Sequence, residues 1–287
     1  MAARGPVAGK GKPPDSRPDQ PSWARMWNYW LGGSYNYEAD REQASVIEKI
    51  IPQIRRMAAS NRMFVGRAIG WAAASKGIRG GGIEPGVDQV VDLGCGYPPS
   101  SPVHAMIQTI RTPSGVAYVD IDPGVVDLAY ESLTPGEREW VAVALADIRD
   151  PAGVFTAIRQ AGPGPAGVID LAEPVCLLLA GVLPILPAAQ AAELVAEYVA
   201  MIAPGSYVAI SAGRLDSPVM EREFAAACNA PPAANFTQQE VAALFAGLEL
   251  EEPGIAPVIG LRPGWSDYPS GSPGPAYLLG GIGRKPG

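Results

Sequence analysis

From Val87 onward the chain alternates short apolar runs with segments of helical length: "DQVVDLG", "GVAYVDID", "WVAVALAD", "PVCLLLAG" and "GSYVAISAG". No other feature constrains the fold as strongly. Each run is rich in β-branched or aliphatic residues, is too short for a helix, and is apolar throughout rather than alternating, which predicts strands buried on both faces. Five such strands joined by helix-length connections predict an α/β fold with a parallel sheet covered by helices on both sides. The end of the chain differs. "LELEEPGIAPVIGL" and "PAYLLGGIGRKP" are expected to pair as an antiparallel hairpin across a long Pro/Gly/Ser loop.

In an open parallel sheet, ligands bind beyond the carboxyl ends of the strands, where the strand order reverses. The residues that follow each run therefore carry the chemical information. After the first comes "DLGCGYPP", where Gly94 and Gly96 let the backbone pass close to a ligand and Asp92 can accept a hydrogen bond from a cationic amine. A dinucleotide fingerprint would need a third small residue where Pro99 stands, and Pro98 and Pro99 remove two amide donors that a phosphate would use. A nicotinamide-dependent oxidoreductase is therefore disfavoured. The second run ends in Asp120, 28 residues after Asp92 and placed to hold ribose hydroxyls, whereas Asp122 before Pro123 reads as a helix cap. The third ends in "ALADIRDP", offering Asp147 to an adenine amino group and Ile148 to its face.

Ahead of the sheet, "WARMWNYWLGGSYNYEADR" gathers six of the chain's 21 aromatics within fifteen positions. Trp23, Trp27 and Trp30 fall at i, i+4 and i+7, so a helix would carry the indoles as one stripe with Arg25 and Tyr29 beside it, stopped by Gly32 and Gly33. The stripe either packs a helix onto a core or closes over a site. A second helix is expected from an Asn36 cap with Glu38 and Asp40 in its first turn, and a further one over Asn61 to Lys76. This divides the chain into a disordered tail over 1–21, a helical lid over 22–80 and a sheet domain over 81–287.

The remaining composition excludes several classes. Residues 1–21 hold five prolines and three glycines without an apolar run, so they are no signal sequence. The stretch "VCLLLAGVLPILPAA" is too short and too proline-broken for a membrane span. Cys95, Cys176 and Cys228 form no CxxC pair, and with one histidine in the chain no metal cluster is expected. A cytoplasmic protein with free thiols fits. A net charge of −7 disfavours a nucleic-acid partner, leaving a small molecule.

The series "VVDLGCGYP", "YVDIDP", "ALADIRDP", the two further strands and the closing hairpin resembles a class I S-adenosylmethionine-dependent methyltransferase. More narrowly, "PSWARMWNYWLGGSYNYEADR", "NRMFVGRAI", "LADIRDP", "APGSYVAIS", "GLELEEPG" and "GRKP" are similar to an actinobacterial S-adenosyl methyltransferase family formerly listed as a domain of unknown function. The resemblance implies a Rossmann-like seven-stranded sheet with an N-terminal helical lid, and S-adenosylmethionine as cofactor. It implies that Asp92, Gly94 and Gly96 contact the methionine part, that Asp120 holds the ribose, and that Ile121, Asp147 and Ile148 surround the adenine. Arg25, Tyr29, Gly33, Asn36 and Arg41 match its N-terminal signature as lid or substrate residues.

The chain departs from that family where histidines are usual, carrying Pro184 after the fourth strand and Ala212 after "IS". A histidine base at either place is excluded, and His104 is more readily a surface or capping residue than a catalytic one. His104 and Tyr29 remain the catalytic candidates, with Tyr35, Tyr37, Asp170 and Glu173 as further polar groups. The expected function is methyl transfer to a small molecule. The alternative is a non-catalytic S-adenosylmethionine-binding sensor or regulator.

Overall fold

The computed structural model describes residues 17–74, 78–79, 82–83, 86–113, 115–163, 167–228, 234–261 and 273–287. Most of the expected tail, much of the glycine-rich break near residue 80 and the Pro/Gly/Ser loop before the last strand lie outside them.

Three helices come first: α1 (Trp23–Trp30), α2 (Glu38–Ile50) and α3 (Ile54–Ala73). Helix α1 ends with Gly32 at φ +80, in the left-handed region expected of a helix-stopping glycine. Two boundaries differ from the sequence reading. The N-cap of α2 is Tyr37 rather than Asn36, and Asp40 in the first turn accepts the Tyr37 N–H at 2.8 Å. The break between the second and third helices falls at Pro52, because proline has no N–H to donate and holds the preceding Ile51 out of the helical region, at φ −122 and ψ 80. Helix α3 then runs unbroken for 20 residues, burying Ile54, Met57, Phe64, Val65, Ala68, Ile69 and Ala72 on one stripe.

A small antiparallel hairpin, β1 (Ile78–Arg79) and β2 (Gly82–Ile83), leads to the main sheet. Its strands are β3 (Gln89–Leu93), β4 (Gly115–Asp120), β5 (Val141–Leu145), β6 (Val175–Ala180), β7 (Tyr207–Leu215), β8 (Glu249–Leu250), β9 (Ala256–Pro257) and β10 (Ala276–Arg284). They lie in the order β5-β4-β3-β6-β7-β10-β8, with the short β9 also on β10, so the expected seven positions across the sheet are filled by eight strands. Strands β3 to β7 are parallel neighbours, while β10 runs antiparallel to β7, β8 and β9. The expected terminal hairpin forms, but β10 makes its long pairing with β7.

Alternate residues of each strand serve opposite faces. Val116 and Tyr118 of β4 join an apolar cluster with α1, α2 and α3, whereas Ala117 and Val119 join one with α6 (Pro151–Ala161) and α7 (Ala188–Met201). Both faces are covered, which is why the strands read as continuous apolar runs. Met26, Trp30, Ile47 and Phe64 share one cluster with Val90, Leu178 and Ala209, so the N-terminal helices roof the sheet and are part of its core. The order of strands reverses between β3 and β6, and the residues beyond their carboxyl ends face the underside of that roof.

Candidate functional site

The turn after β3 is the tightest piece of backbone at this reversal. Gly94 and Gly96 adopt φ +71 and +64, and the Gly94 and Cys95 N–H groups donate to Val119 O at 2.8 and 3.1 Å. A Cβ on Gly94 would lie 2.5 Å from Val182, while one on Gly96 would meet nothing within 4 Å and would project into open space. Asp120, the last residue of β4, accepts the Gly96 N–H through Oδ2 at 2.9 Å and the Asp122 N–H through Oδ1 at 3.0 Å. The loop and the carboxylate thus fix one another. Asp122 caps α5 (Pro123–Glu131), accepting the Gly124 N–H at 2.9 Å.

These groups border a cavity of about 520 Å³, within the range of small-molecule sites. Asp92, Gly94, Gly96, Asp120, Ile121, Asp147 and Ile148 all line it. Ile121 is exposed and Ile148 buried, and Asp147 is held by Arg149, whose Nε donates to both its oxygens at 2.9 Å. The opposite wall is apolar: Trp23, Trp27 and Trp30 from α1, Ile54 and Met57 from α3, Leu215 from β7, Leu278 from β10 and Phe224 from α8 (Pro218–Ala227). The tryptophan stripe therefore meets both the core and the cavity. Trp30 is buried in the core, while Trp23 and Trp27 are half-buried against the cavity.

Burial sets the electrostatics. It raises the Asp92 carboxyl to about 6, opposed by nearby Arg62 and reinforced by Asp120. It also raises Asp120, opposed by the N–H donors of Asp122 and Gly96. The Arg149 guanidinium holds Asp147 below the usual carboxylate range. The acid-bearing side of the cavity thus sets Asp92, Asp120 and Asp147 among two arginines, Arg62 and Arg149.

Several candidates lie elsewhere. Arg25 and Tyr29 do not line the cavity; Asn28 does. Arg25 is turned inward onto Asp40, and Tyr29 lies under the Arg55 guanidinium, 4.4 Å from its ring centre. The reason is helical phase, since residues two positions from a stripe point away from it. Gly33 is required by close approach, because a Cβ there would overlap the Asn28 amide. Asn36 donates to Gly33 O at 3.0 Å and accepts from Arg41 at 3.0 Å, and these signature residues stabilise the turn after α1. Tyr35 stacks on Tyr97, their centres 5.8 Å apart, and Tyr37 faces Arg25.

His104 is neither exposed nor in the cavity. It begins the short α4 (Val103–Gln108) with 5% exposure, its Nδ1 is 2.8 Å from the Tyr118 hydroxyl and its Nε2 is 3.6 Å from Glu137. Burial lowers its pKa. Asp170 and Glu173 precede β6 and lie at the amino ends of the strands, where Asp170 shares two backbone hydrogen bonds with the Gln89 side chain. A larger depression of about 1290 Å³ opens there, away from the strand-end acids and the glycine turn.

Three cavity residues were not assigned a role from sequence. Asn61 donates to Ala180 O at 3.2 Å and accepts from Ser211 Oγ at 2.6 Å, tying α3 to the ends of β6 and β7. Arg62 lines the cavity with Asp92 and opposes the rise of its pKa, and Tyr97 lines it next to the glycine turn. Polar residues at consecutive positions 61 and 62 inside an apolar helical stripe were the available signal.

A seven-position sheet ordered β5-β4-β3-β6-β7-β10-β8, with a glycine turn and acids at its reversal, defines a methyltransferase-type Rossmann-like fold. The family model described as S-adenosyl methyltransferase matches residues 11–286. The chain belongs to that family, and is an S-adenosylmethionine-dependent methyltransferase. A protein from Thermobifida fusca described as a candidate methyltransferase is 30% identical, with a TM-score of 0.78 over 93% of this chain and 96% of that one. A DUF574 family protein from Streptomyces avermitilis is 28% identical, with a TM-score of 0.77 over 93% and 98% of the two chains. No curated protein matches the chain. Among the described residues no helix is long and apolar enough to cross a membrane.

Proposed function

We propose that the protein transfers the methyl group of S-adenosylmethionine to a small, predominantly apolar acceptor held beneath α1, as a cytoplasmic enzyme. The observation that carries this reading is the two-sided cavity: strand-end acids and an open glycine turn on one side, three indoles with Ile54, Leu215 and Phe224 on the other. The residues fit the cofactor. The space above Gly96 admits a ligand, and Asp92 and Asp120 are buried carboxylates with lone pairs left for an ammonium and for ribose hydroxyls. Ile121, Asp147 and Ile148 are assigned to the adenine.

When bound, the cofactor supplies an electrophilic methyl on a sulfonium, and the acceptor's lone pair forms the new bond as the carbon–sulfur pair returns to sulfur. The chain's own part is alignment and exclusion of water. Trp27 and Asn61 flank Gly181 at the end of β6: a Cβ there would lie 3.1 Å from the Asn61 amide nitrogen and 3.7 Å from the Trp27 ring. An aromatic face beside a desolvated cation contributes up to about 2 kcal/mol.

A second reading, a non-catalytic S-adenosylmethionine sensor, is favoured by the acceptor wall itself. Among the described residues its polar groups include Asn28, Asn61, Arg214 and Asn235; Asn28 accepts the Tyr35 N–H at 2.9 Å, Arg214 is paired with Asp216 at 2.6 Å, and Asn235 is bonded to the Leu215 backbone. Incubation with methyl-labelled S-adenosylmethionine and two acceptor panels, one ring-bearing and apolar, one of sugars and amino acids, separates these readings. Label in the apolar panel is expected. Label confined to the polar panel would overturn the acceptor class, and tight cofactor binding without transfer to any metabolite would favour the sensor.

A further inference from the structure

Arg62 is a cation in an unusual position. It is half-buried on α3 between buried Asn61 and Phe64, lines the cavity, and is near enough to Asp92 for each to bias the other's ionisation. One Nη2 contact goes to the Ser101 carbonyl and another, at 3.8 Å, to the Met106 sulfur. Its Nε–H is buried without an acceptor. No ion pair within 4 Å joins it to Asp92. A guanidinium carries five donors in a planar fork, and burying one of them without an acceptor is unfavourable, so a ligand acceptor is the natural complement.

The chemistry around it specifies which acceptor. Asp92 is a buried carboxylate suited to an ammonium, Arg62 a half-buried fork suited to a carboxylate, and both line the cavity that the Gly94–Gly96 turn borders. A cation and an anion that line one cavity without pairing to each other form the complement of an α-amino-acid zwitterion, whose two charged groups are held a fixed short distance apart by one carbon.

We infer that Arg62 is the carboxylate-binding residue of the site, reading the amino-acid arm of S-adenosylmethionine while Asp92 reads its ammonium. The inference rests on the family's cofactor and assigns a residue outside the strand-end motifs. It also gives a role to an arginine set beside the buried stripe of α3. Through Ser101 the same side chain links α3 to the loop that follows the glycine turn.

Calorimetry with three probes tests this: S-adenosylmethionine, its decarboxylated form, which keeps the ammonium and adenosine, and 5′-methylthioadenosine, which lacks the whole arm. Wild-type protein is expected to prefer S-adenosylmethionine to the decarboxylated form by about ten- to 150-fold, the range for a charged hydrogen-bonded contact. Arg62→Met should abolish that preference and leave 5′-methylthioadenosine affinity within about threefold of wild type, and Arg62→Lys should restore part of the preference. Equal weakening of all three probes by Arg62→Met would make the residue purely structural and overturn the inference. So would an unchanged preference. Wild-type protein that binds none of the probes would remove the cofactor assignment itself, an outcome distinct from either.

Discussion

Arg25 and Asp40 form an ion pair sealed inside the helical roof, with Nε to Oδ2 at 2.7 Å and side-chain exposures of 5% and 0%. Asp40 also accepts the backbone N–H groups of Ser22 and Tyr37, each at 2.8 Å, and Arg25 reaches the carbonyl of Gln20. One carboxylate therefore fixes the start of α1, the start of α2 and the angle between them. Breaking a buried pair leaves a desolvated charge, at a cost of about 3 to 5 kcal/mol. Arg25→Ala should accordingly lower the melting temperature by many degrees, where a pocket-facing role would have spared it. Arg25→Met with Asp40→Leu should be milder than either single change, and thermal melts of the three variants check this.

Asp120 and Asp122 are two residues apart and do different work. Asp120→Ala removes the carboxylate assigned to the ribose together with the acceptor of the Gly96 N–H, and should weaken S-adenosylhomocysteine binding by about ten- to 150-fold. Asp122→Ala removes a helix cap and should cost about 1 kcal/mol of stability with a smaller effect on affinity. Calorimetry and denaturant melts on both variants separate the roles, and a reversed pattern would invalidate the ribose assignment.

Asp92 makes two opposite pH dependences. An acid whose pKa stands above its unfolded value costs stability at high pH, and that cost disappears as the pH falls below the unfolded value. With Asp92 raised from 3.8 to about 6, the stability gap between Asp92→Asn and wild type should be larger at pH 8 than at pH 4, by about 2.5 kcal/mol. Cofactor affinity should move the other way, falling as the pH drops below 6, because a protonated Asp92 no longer attracts an ammonium. Urea melts and calorimetry across that window check both arms.

Trp27 is half-buried at the cavity while Trp30 is 4% exposed in the core. Trp27→Ala should reduce kcat/KM with a modest effect on stability, whereas Trp30→Ala should cost about 3 to 5 kcal/mol. Deleting residues 1–41 removes Met26, Trp30 and Asp40, and should unfold or severely destabilise the sheet rather than leave it intact and unable to bind. Circular dichroism of the truncated chain decides this.

Much of the site was legible because strand-end chemistry is local. Asp92, Gly94, Gly96, Asp120, Asp147 and Ile148 follow directly on apolar runs, so identifying the runs located the residues, and parallel register brought them to one edge. The N-terminal signature was read less well. Its residues Arg25, Tyr29, Asn36 and Arg41 stood out by type, but a polar residue near an aromatic stripe can face a pocket or a neighbouring helix. The phase of the helix against its partners decides which. His104 shows the same ambiguity: in sequence it begins a helix after a loop, yet Tyr118, Trp140 and Glu137 enclose it from other elements.

What the sequence determined by itself was the alternation of strand and helix, the acids and glycines at the strand ends, and the absence of a third small residue in the turn. All of these depend on neighbours within a few positions, through backbone propensity and the geometry of one turn. The tertiary structure alone decided that the N-terminal helices are part of the core, that Arg25 pairs with Asp40, that His104 is enclosed and that Arg62 and Asp92 line one cavity. Each of those depends on the packing of one helix against elements 14 or more residues away along the chain, and burial then sets whether a charge finds a partner or is left facing the cavity.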